Sequence, residues 1–131
     1  RAACRRADLD LISLVAPNTP AERIPYIAES SSGFLYLVAR AGVTGARSEV
    51  LQSTKALIER VDTELPKAVG FGISTPEQAA EVIRAGADGA IVGSACVDLI
   101  SRSDLVGLEE LIRGMKAAIG EARPIEAAAR I

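Results

Sequence analysis

The chain has 131 residues, 15 basic against 17 acidic side chains and a formal charge of −2. This length suits one domain with one modest core, and a hydrophobic share of 49% with 24% charged residues excludes wholesale disorder. A near-neutral balance without a basic block argues against a nucleic-acid groove or an anionic membrane as partner, and 3% aromatics with no Trp argue against base stacking.

The absence of His removes the commonest metal ligand and the commonest acid–base group near neutral pH. Cys4 and Cys96 supply half of the four ligands a structural zinc site needs, and as two lone thiols they point to a reducing cytoplasm. No apolar run reaches the roughly 18–20 residues that span a bilayer, and no signal peptide is visible. A metal site is therefore not expected. Arg1 to Ala7 reads as the end of a helix, which points to a piece of a longer chain.

In chain order, four apolar runs follow: Leu9 to Ala16, Phe34 to Ala39, Lys67 to Ile73 and Gly89 to Ala95. Their nearly continuous apolar character predicts parallel strands covered on both faces. Between them lie helices with start signals. Thr19-Pro20-Ala21-Glu22 and Thr75-Pro76-Glu77-Gln78 both read as capping boxes with Pro at the first helical position. From Ser48 to Asp62, the residues Val50, Leu51, Thr54, Leu57, Ile58 and Val61 fall on one helical face. Leu108, Leu111, Ile112, Met115 and Ile119 do the same in a last helix that should end near Gly120, with Pro124 beyond.

The order is β-α-β-α-β-α-β-α, which predicts an α/β fold of right-handed βαβ units on a parallel sheet. Four units at roughly 33 residues each match half of a (β/α)8 TIM barrel, which spends roughly 31 residues per unit. Residues 1–131 are read as one half-barrel segment. A four-stranded open flavodoxin-like sheet competes on periodicity alone. The motif R-A-G-x-x-G-A occurs at Arg40 to Ala46 and again at Arg84 to Ala90, but once after a strand and once before one, so the match is coincidental.

Ligands in parallel βα folds meet the carboxyl ends of the strands. Four loops qualify: Pro17 to Thr19, Arg40 to Arg47, Gly70 to Ser74 and Gly93 to Ala95. Glycine permits close backbone approach and positive φ. Gly93-Ser94-Ala95 also precedes a short helical run, Cys96 to Ile100, whose free amides and dipole favour an anion. Gly72, Gly93 and Ser94, with Gly45 from the preceding loop, are the candidate cradle for a phosphate monoester. Gly70-Phe71-Gly72 lacks the third glycine of a dinucleotide fingerprint, because Thr75 holds that position. Tyr36 and Phe71 either line a pocket or fill the barrel. Ser74 and Thr75 read as helix caps, Asp88 and Glu49 as solvated residues, Arg40 as one half of an ion pair, and Cys96 as a small buried hydrophobe.

Phe34 to Gly45 (FLYLVARAGVTG), Gly70 to Ser74 (GFGIS) and Gly89 to Ala95 (GAIVGSA), in this order and spacing, resemble the tryptophan synthase alpha chain family. Leu14 to Asn18 is similar to its fifth strand and loop. The resemblance covers nearly the whole chain and corresponds to strands five to eight of that family's barrel. It implies retro-aldol cleavage of indole-3-glycerol phosphate to indole and glyceraldehyde 3-phosphate. It further implies that Gly45, Gly72, Gly93 and Ser94 hold the phosphate and that Tyr36, Phe71 and Ile91 line the pocket. Thr44 would lie in a loop that closes over the substrate and helps position a catalytic aspartate. The implied partner is a beta chain, which carries pyridoxal phosphate; the alpha chain has no cofactor of its own.

The family's catalytic Glu and Asp come from the second strand and its following loop, and no acidic residue here matches either. The expectation is a segment that binds phosphate and does not catalyse alone. Half a barrel leaves strand edges and an apolar face open, so a complementary half or a second copy is the expected partner. Another phosphosugar barrel enzyme, or a non-catalytic phosphate-binding or self-associating half-barrel module, are the competing readings.

Overall fold

The computed structural model describes residues 1–39, 47–70 and 72–123; of Arg47 to Val50 it describes the backbone alone. A short helix α1 (Ala2–Arg6) leads into β1 (Ser13–Val15). A 3-10 turn (Ala21–Arg23) and α2 (Ile24–Ser30) connect to β2 (Leu35–Val38). Then come α3 (Arg47–Arg60), β3 (Lys67–Gly70), α4 (Pro76–Arg84), β4 (Gly89–Ile91), α5 (Ser94–Ser101) and α6 (Leu105–Ala122). The four strands form one parallel sheet in the order β1-β2-β3-β4. This is the predicted succession of β/α units, with strands shorter than the apolar runs. The runs continue past the last paired rung as buried loop, for example at Ile73.

Strand register assigns every side chain to a face. Val15, Leu37, Val69 and Ala90 form one row across the sheet, and Ser13, Leu35 and Lys67 another. Val15, Leu35, Leu37 and Val69 are fully buried on this face. Against them pack Ile24 of α2, Leu57, Ile58 and Val61 at the end of α3, Val82 and Ile83 of α4, and Met115 of α6. The predicted apolar face of α3 is borne out at Thr54, Leu57, Ile58 and Val61, which are buried, with Leu51 half-buried; the side chain of Val50 is not described. Lys67 extends the packing at the amino edge, where its ammonium donates to the carbonyls of Ile58 (3.2 Å) and Val61 (3.3 Å) at the end of α3.

The opposite face carries Leu14, Tyr36, Ala68 and Gly89 in one row and Val38, Gly70 and Ile91 in the next. No described helix covers it, and Leu14 is 59% exposed. The expectation of strands covered on both faces therefore holds for one face only within this segment.

Three local expectations are corrected. Thr19-Pro20 does not cap a helix. Pro20 is extended (φ −57°, ψ 138°) and a 3-10 turn follows, because the Thr19 hydroxyl instead accepts the Ala16 amide at 2.9 Å. Gly120 does not end the last helix, which runs to Ala122. Ile119 and Ala122 pack on the core there, and the Arg123 guanidinium donates to the Asp88 carbonyl at 3.1 Å. Ile112, expected on the buried stripe, is 52% exposed. Among the described residues no helix is long and apolar enough to cross a membrane.

Candidate functional site

The last rung of the sheet joins Val38, Gly70 and Ile91. Gly72 and Gly93 each lie two residues past that rung, on adjacent strands and at the same carboxyl edge. Gly72 has φ +82°, a conformation that favours glycine. Gly93 is different. Its φ is −122°, and a Cβ there would meet nothing within 4 Å. No neighbour in the described protein requires position 93 to be glycine, and the space above it is open.

Gly93 is also the N-cap of α5, which begins at Ser94, two residues earlier than predicted, and has no side-chain cap. The contrast with its neighbours is direct. At α4, Thr75 accepts from the Gln78 amide (3.3 Å), and the Gln78 side chain accepts from the amides of Thr75 (3.2 Å) and Ser74 (2.8 Å). At α6, Asp104 accepts from the Gly107 amide at 2.9 Å. The Thr75 box is thus borne out, whereas Ser74 is not itself a cap: its amide and hydroxyl both donate to the Gln78 side chain, at 2.8 and 3.1 Å. Among the described residues, no backbone or side-chain acceptor meets the amides of Gly72, Gly93 or Ser94. Exposed amides at a helix start, with the positive end of its dipole, attract an anion.

Tyr36 and Ile91 converge beside this edge. A Cβ at Gly70 would lie 2.6 Å from Tyr36 Cζ and 2.9 Å from Ile91 Cβ, and closer still to the Tyr36 hydroxyl. The Tyr36 ring therefore lies across β3, directly over Gly70, and forms a half-buried wall with Ile91 on the open face. Gly70 was not a candidate from sequence; its signal was present in Gly70-Phe71-Gly72, a motif that pointed only to its second glycine.

Other candidates fall elsewhere. The Pro17 to Thr19 loop offers no cradle, because the Thr19 amide donates to the Ala16 carbonyl (2.9 Å). Arg60 also donates to the carbonyls of Ala16, Pro17 and Thr19 at 3.2–3.3 Å. Asp88 sits at the amino edge, where its carboxylate accepts the Lys67 amide at 2.8 Å, so it joins two strands and does not merely face solvent. Cys96 is half-buried, not buried. Arg40, Thr44, Gly45 and Phe71 lie outside the described residues, as does the first R-A-G-x-x-G-A motif; the side chain of Glu49 is not described. The open-face positions of the strands carry no carboxylate. Among the described residues no group of three His, Cys, Asp or Glu is placed to hold a metal.

Comparison with known proteins decides the family. Residues 1–128 match the family described as tryptophan synthase alpha chain. The chain belongs to the tryptophan synthase alpha chain family. A relative from Methanosarcina mazei is 58% identical over 121 residues, covering 91% of this chain and 45% of its own length. One from Gloeobacter violaceus is 53% identical over 116 residues, covering 84% and 42%. Among solved structures, Mycobacterium tuberculosis tryptophan synthase superposes with a TM-score of 0.76 at 40% identity, over 90% of this chain and 45% of the other. The tryptophan synthase α2β2 complex of Pyrococcus furiosus gives 0.78 at 34% identity, over 88% and 49%. The chain thus spans a little under half the length of the relatives it matches. Its parallel four-stranded sheet is the corresponding part of a TIM barrel.

Proposed function

We propose that this segment is the phosphate-binding half of a tryptophan synthase alpha chain. The whole protein would be a carbon–carbon lyase of tryptophan biosynthesis that cleaves indole-3-glycerol phosphate to indole and glyceraldehyde 3-phosphate. The observation that carries the reading is the placement of Gly72, Gly93 and Ser94. They occupy one strand edge, where among the described residues their amides meet no acceptor and no side chain caps the helix start. A dianion seated there would accept hydrogen bonds from these amides and from the Ser94 hydroxyl, with Gly45 added from the preceding loop. Tyr36 and Ile91, with Phe71, would line the pocket over which the indole and glycerol portions extend.

Cleavage breaks the bond between the indole ring and the first glycerol carbon. The ring carbon gains a proton, and the hydroxyl on the glycerol carbon loses one as that carbon becomes the aldehyde. Two placed acid–base groups serve these transfers, and the open-face strand positions of this segment offer none. The segment would therefore hold the phosphate and align the glycerol chain, while the carboxylates come from the remainder of the barrel. Thr44, in the loop after β2, would close over the bound substrate. Indole would pass to a beta chain, consistent with the α2β2 assembly of the Pyrococcus furiosus relative.

Calorimetric titration tests the reading. Indole-3-glycerol phosphate and inorganic phosphate should both bind this chain, with no indole released on incubation. Gly93→Leu should abolish binding of both. Phosphate binding unchanged in Gly93→Leu, or family-like turnover by the 131-residue chain, contradicts it.

A further inference from the structure

The loop from β3 to α4 carries Gly72, and it is pinned on either side of that residue. Before it, the Gly70 carbonyl accepts the Ala39 amide at 2.8 Å. After it, Ile73 is buried in the core, and Ser74 is bound to a single side-chain atom, Gln78 Oε1. That oxygen accepts the Ser74 amide (2.8 Å), the Ser74 hydroxyl (3.1 Å) and the Thr75 amide (3.2 Å). Two of these donors are backbone N–H groups, so the carboxamide turns its oxygen towards the loop and its nitrogen away. Gln78 itself is half-buried on the first turn of α4.

A reciprocal helix cap needs less than this. In a capping box the third helical residue satisfies the amide of the capping residue, here Thr75. Gln78 reaches one residue further back and takes both donors of Ser74. Ser74 follows Gly72 by two residues, so the chain separates them by at most about 7 Å. Gly72, at φ +82°, has the most backbone freedom of any residue between the two pins. Fixing Ser74 therefore fixes where the Gly72 amide points.

The residue type carries a second argument. Glu or Gln completes such a box, and a carboxylate would gain more from three donors and from the positive helix start. Gln supplies the same oxygen without a charge. A carboxylate there would stand on the order of 10 Å from a dianion at Gly72, enough to weaken it about threefold even in water-like surroundings.

We propose that Gln78 is a positioning residue of the phosphate cradle. Its neutral oxygen locks Ser74, and so aims the Gly72 amide, without bringing a carboxylate near the anion. The proposal rests on the phosphate reading of Gly72, Gly93 and Ser94, and extends it to a residue that touches no ligand.

The test compares Gln78→Ala, Thr75→Ala and Gln78→Glu in this chain, followed by amide NMR and titrated with inorganic phosphate. Thr75→Ala removes the other half of the box and leaves Gln78 on Ser74, so it isolates the cap. Both Ala variants should lower Tm by roughly 3–5 °C. Without ligand, Gln78→Ala should shift the Gly72 amide resonance and Thr75→Ala should not. Gln78→Ala should weaken phosphate binding by about fivefold or more, and Thr75→Ala by less than about twofold. Gln78→Glu should keep the wild-type Tm and weaken phosphate by about threefold or more, a gap that roughly 1 M salt should close. Three results each overturn the proposal while the cradle stands. They are equal losses of affinity in the two Ala variants, an unmoved Gly72 amide in ligand-free Gln78→Ala, and wild-type affinity in Gln78→Glu. A wild-type chain whose Gly72, Gly93 and Ser94 amides ignore phosphate overturns the cradle itself, and this assignment with it.

Discussion

Position 70 has no room for a side chain. Tyr36 Cζ and Ile91 Cβ stand within 2.9 Å of where a Cβ would be, and the Tyr36 hydroxyl is nearer. Gly70→Ala must push Tyr36 off β3, which should cost about 1–3 kcal/mol by overpacking. Tyr36→Ala removes the obstructing ring, so in the double variant the second substitution should cost less than it does alone; chemical denaturation of the four proteins measures the coupling. Gly93 is the opposite case. It has open space and an ordinary φ. Gly93→Leu should remove phosphate binding while lowering Tm by no more than the roughly 3–5 °C that a poorer N-cap residue costs. Sequence motifs proposed Gly72, Gly93 and Ser94 as one site, and the structure puts Gly72 and Gly93 past the same rung at one strand edge. They did not reveal Gly70, because its constraint comes from a cross-strand ring that no local pattern records.

At the scale of elements, two Thr-Pro-x-[Glu/Gln] starts behave differently. Thr75 makes its reciprocal box with Gln78, while Thr19 turns back to the Ala16 amide. Both wrote the same signal into the sequence, so the choice is tertiary: the Ala16 to Thr19 turn is held from outside by Arg60. Thr75→Ala should cost about 1 kcal/mol in thermal denaturation, as loss of a helix cap does. The same substitution at Thr19 should leave α2 intact and loosen only the turn before it, which amide exchange at Ala16 would report. The apolar period identified α3 and α6 as helices. It also assigned Ile112 to the buried stripe with Leu111, because adjacent residues satisfy one face in sequence and two flanks in space.

At the scale of the whole molecule, the alternation of strands and helices was legible from apolar runs and start signals. The competing open flavodoxin-like sheet is set aside by the sequential strand order β1-β2-β3-β4, which has no switch point, and by similarity to solved tryptophan synthase structures. The exposed inner face could not be read from the strands themselves: Leu14 and Val15 are equally apolar, yet one is 59% exposed and the other fully buried. Strands written for a closed barrel look alike whether or not the barrel is closed around them.

In the proposed site, phosphate is held by neutral amides and not by titrating side chains, and the sequence holds no His. A phosphate monoester gains its second charge above about pH 6. Affinity for indole-3-glycerol phosphate should therefore fall as pH drops from 7.5 to 5 and stay level from 7.5 to 9, measured by titration at each pH.

The most direct measurement is an amide NMR titration of the isotopically labelled chain with inorganic phosphate. The amides of Gly72, Gly93 and Ser94 should shift together along one saturable curve, while Gly33 and Gly86, which also have positive φ but lie before their strands, should not move. Phosphate that leaves the three amides in place, or shifts all five glycine and serine signals alike, contradicts the account.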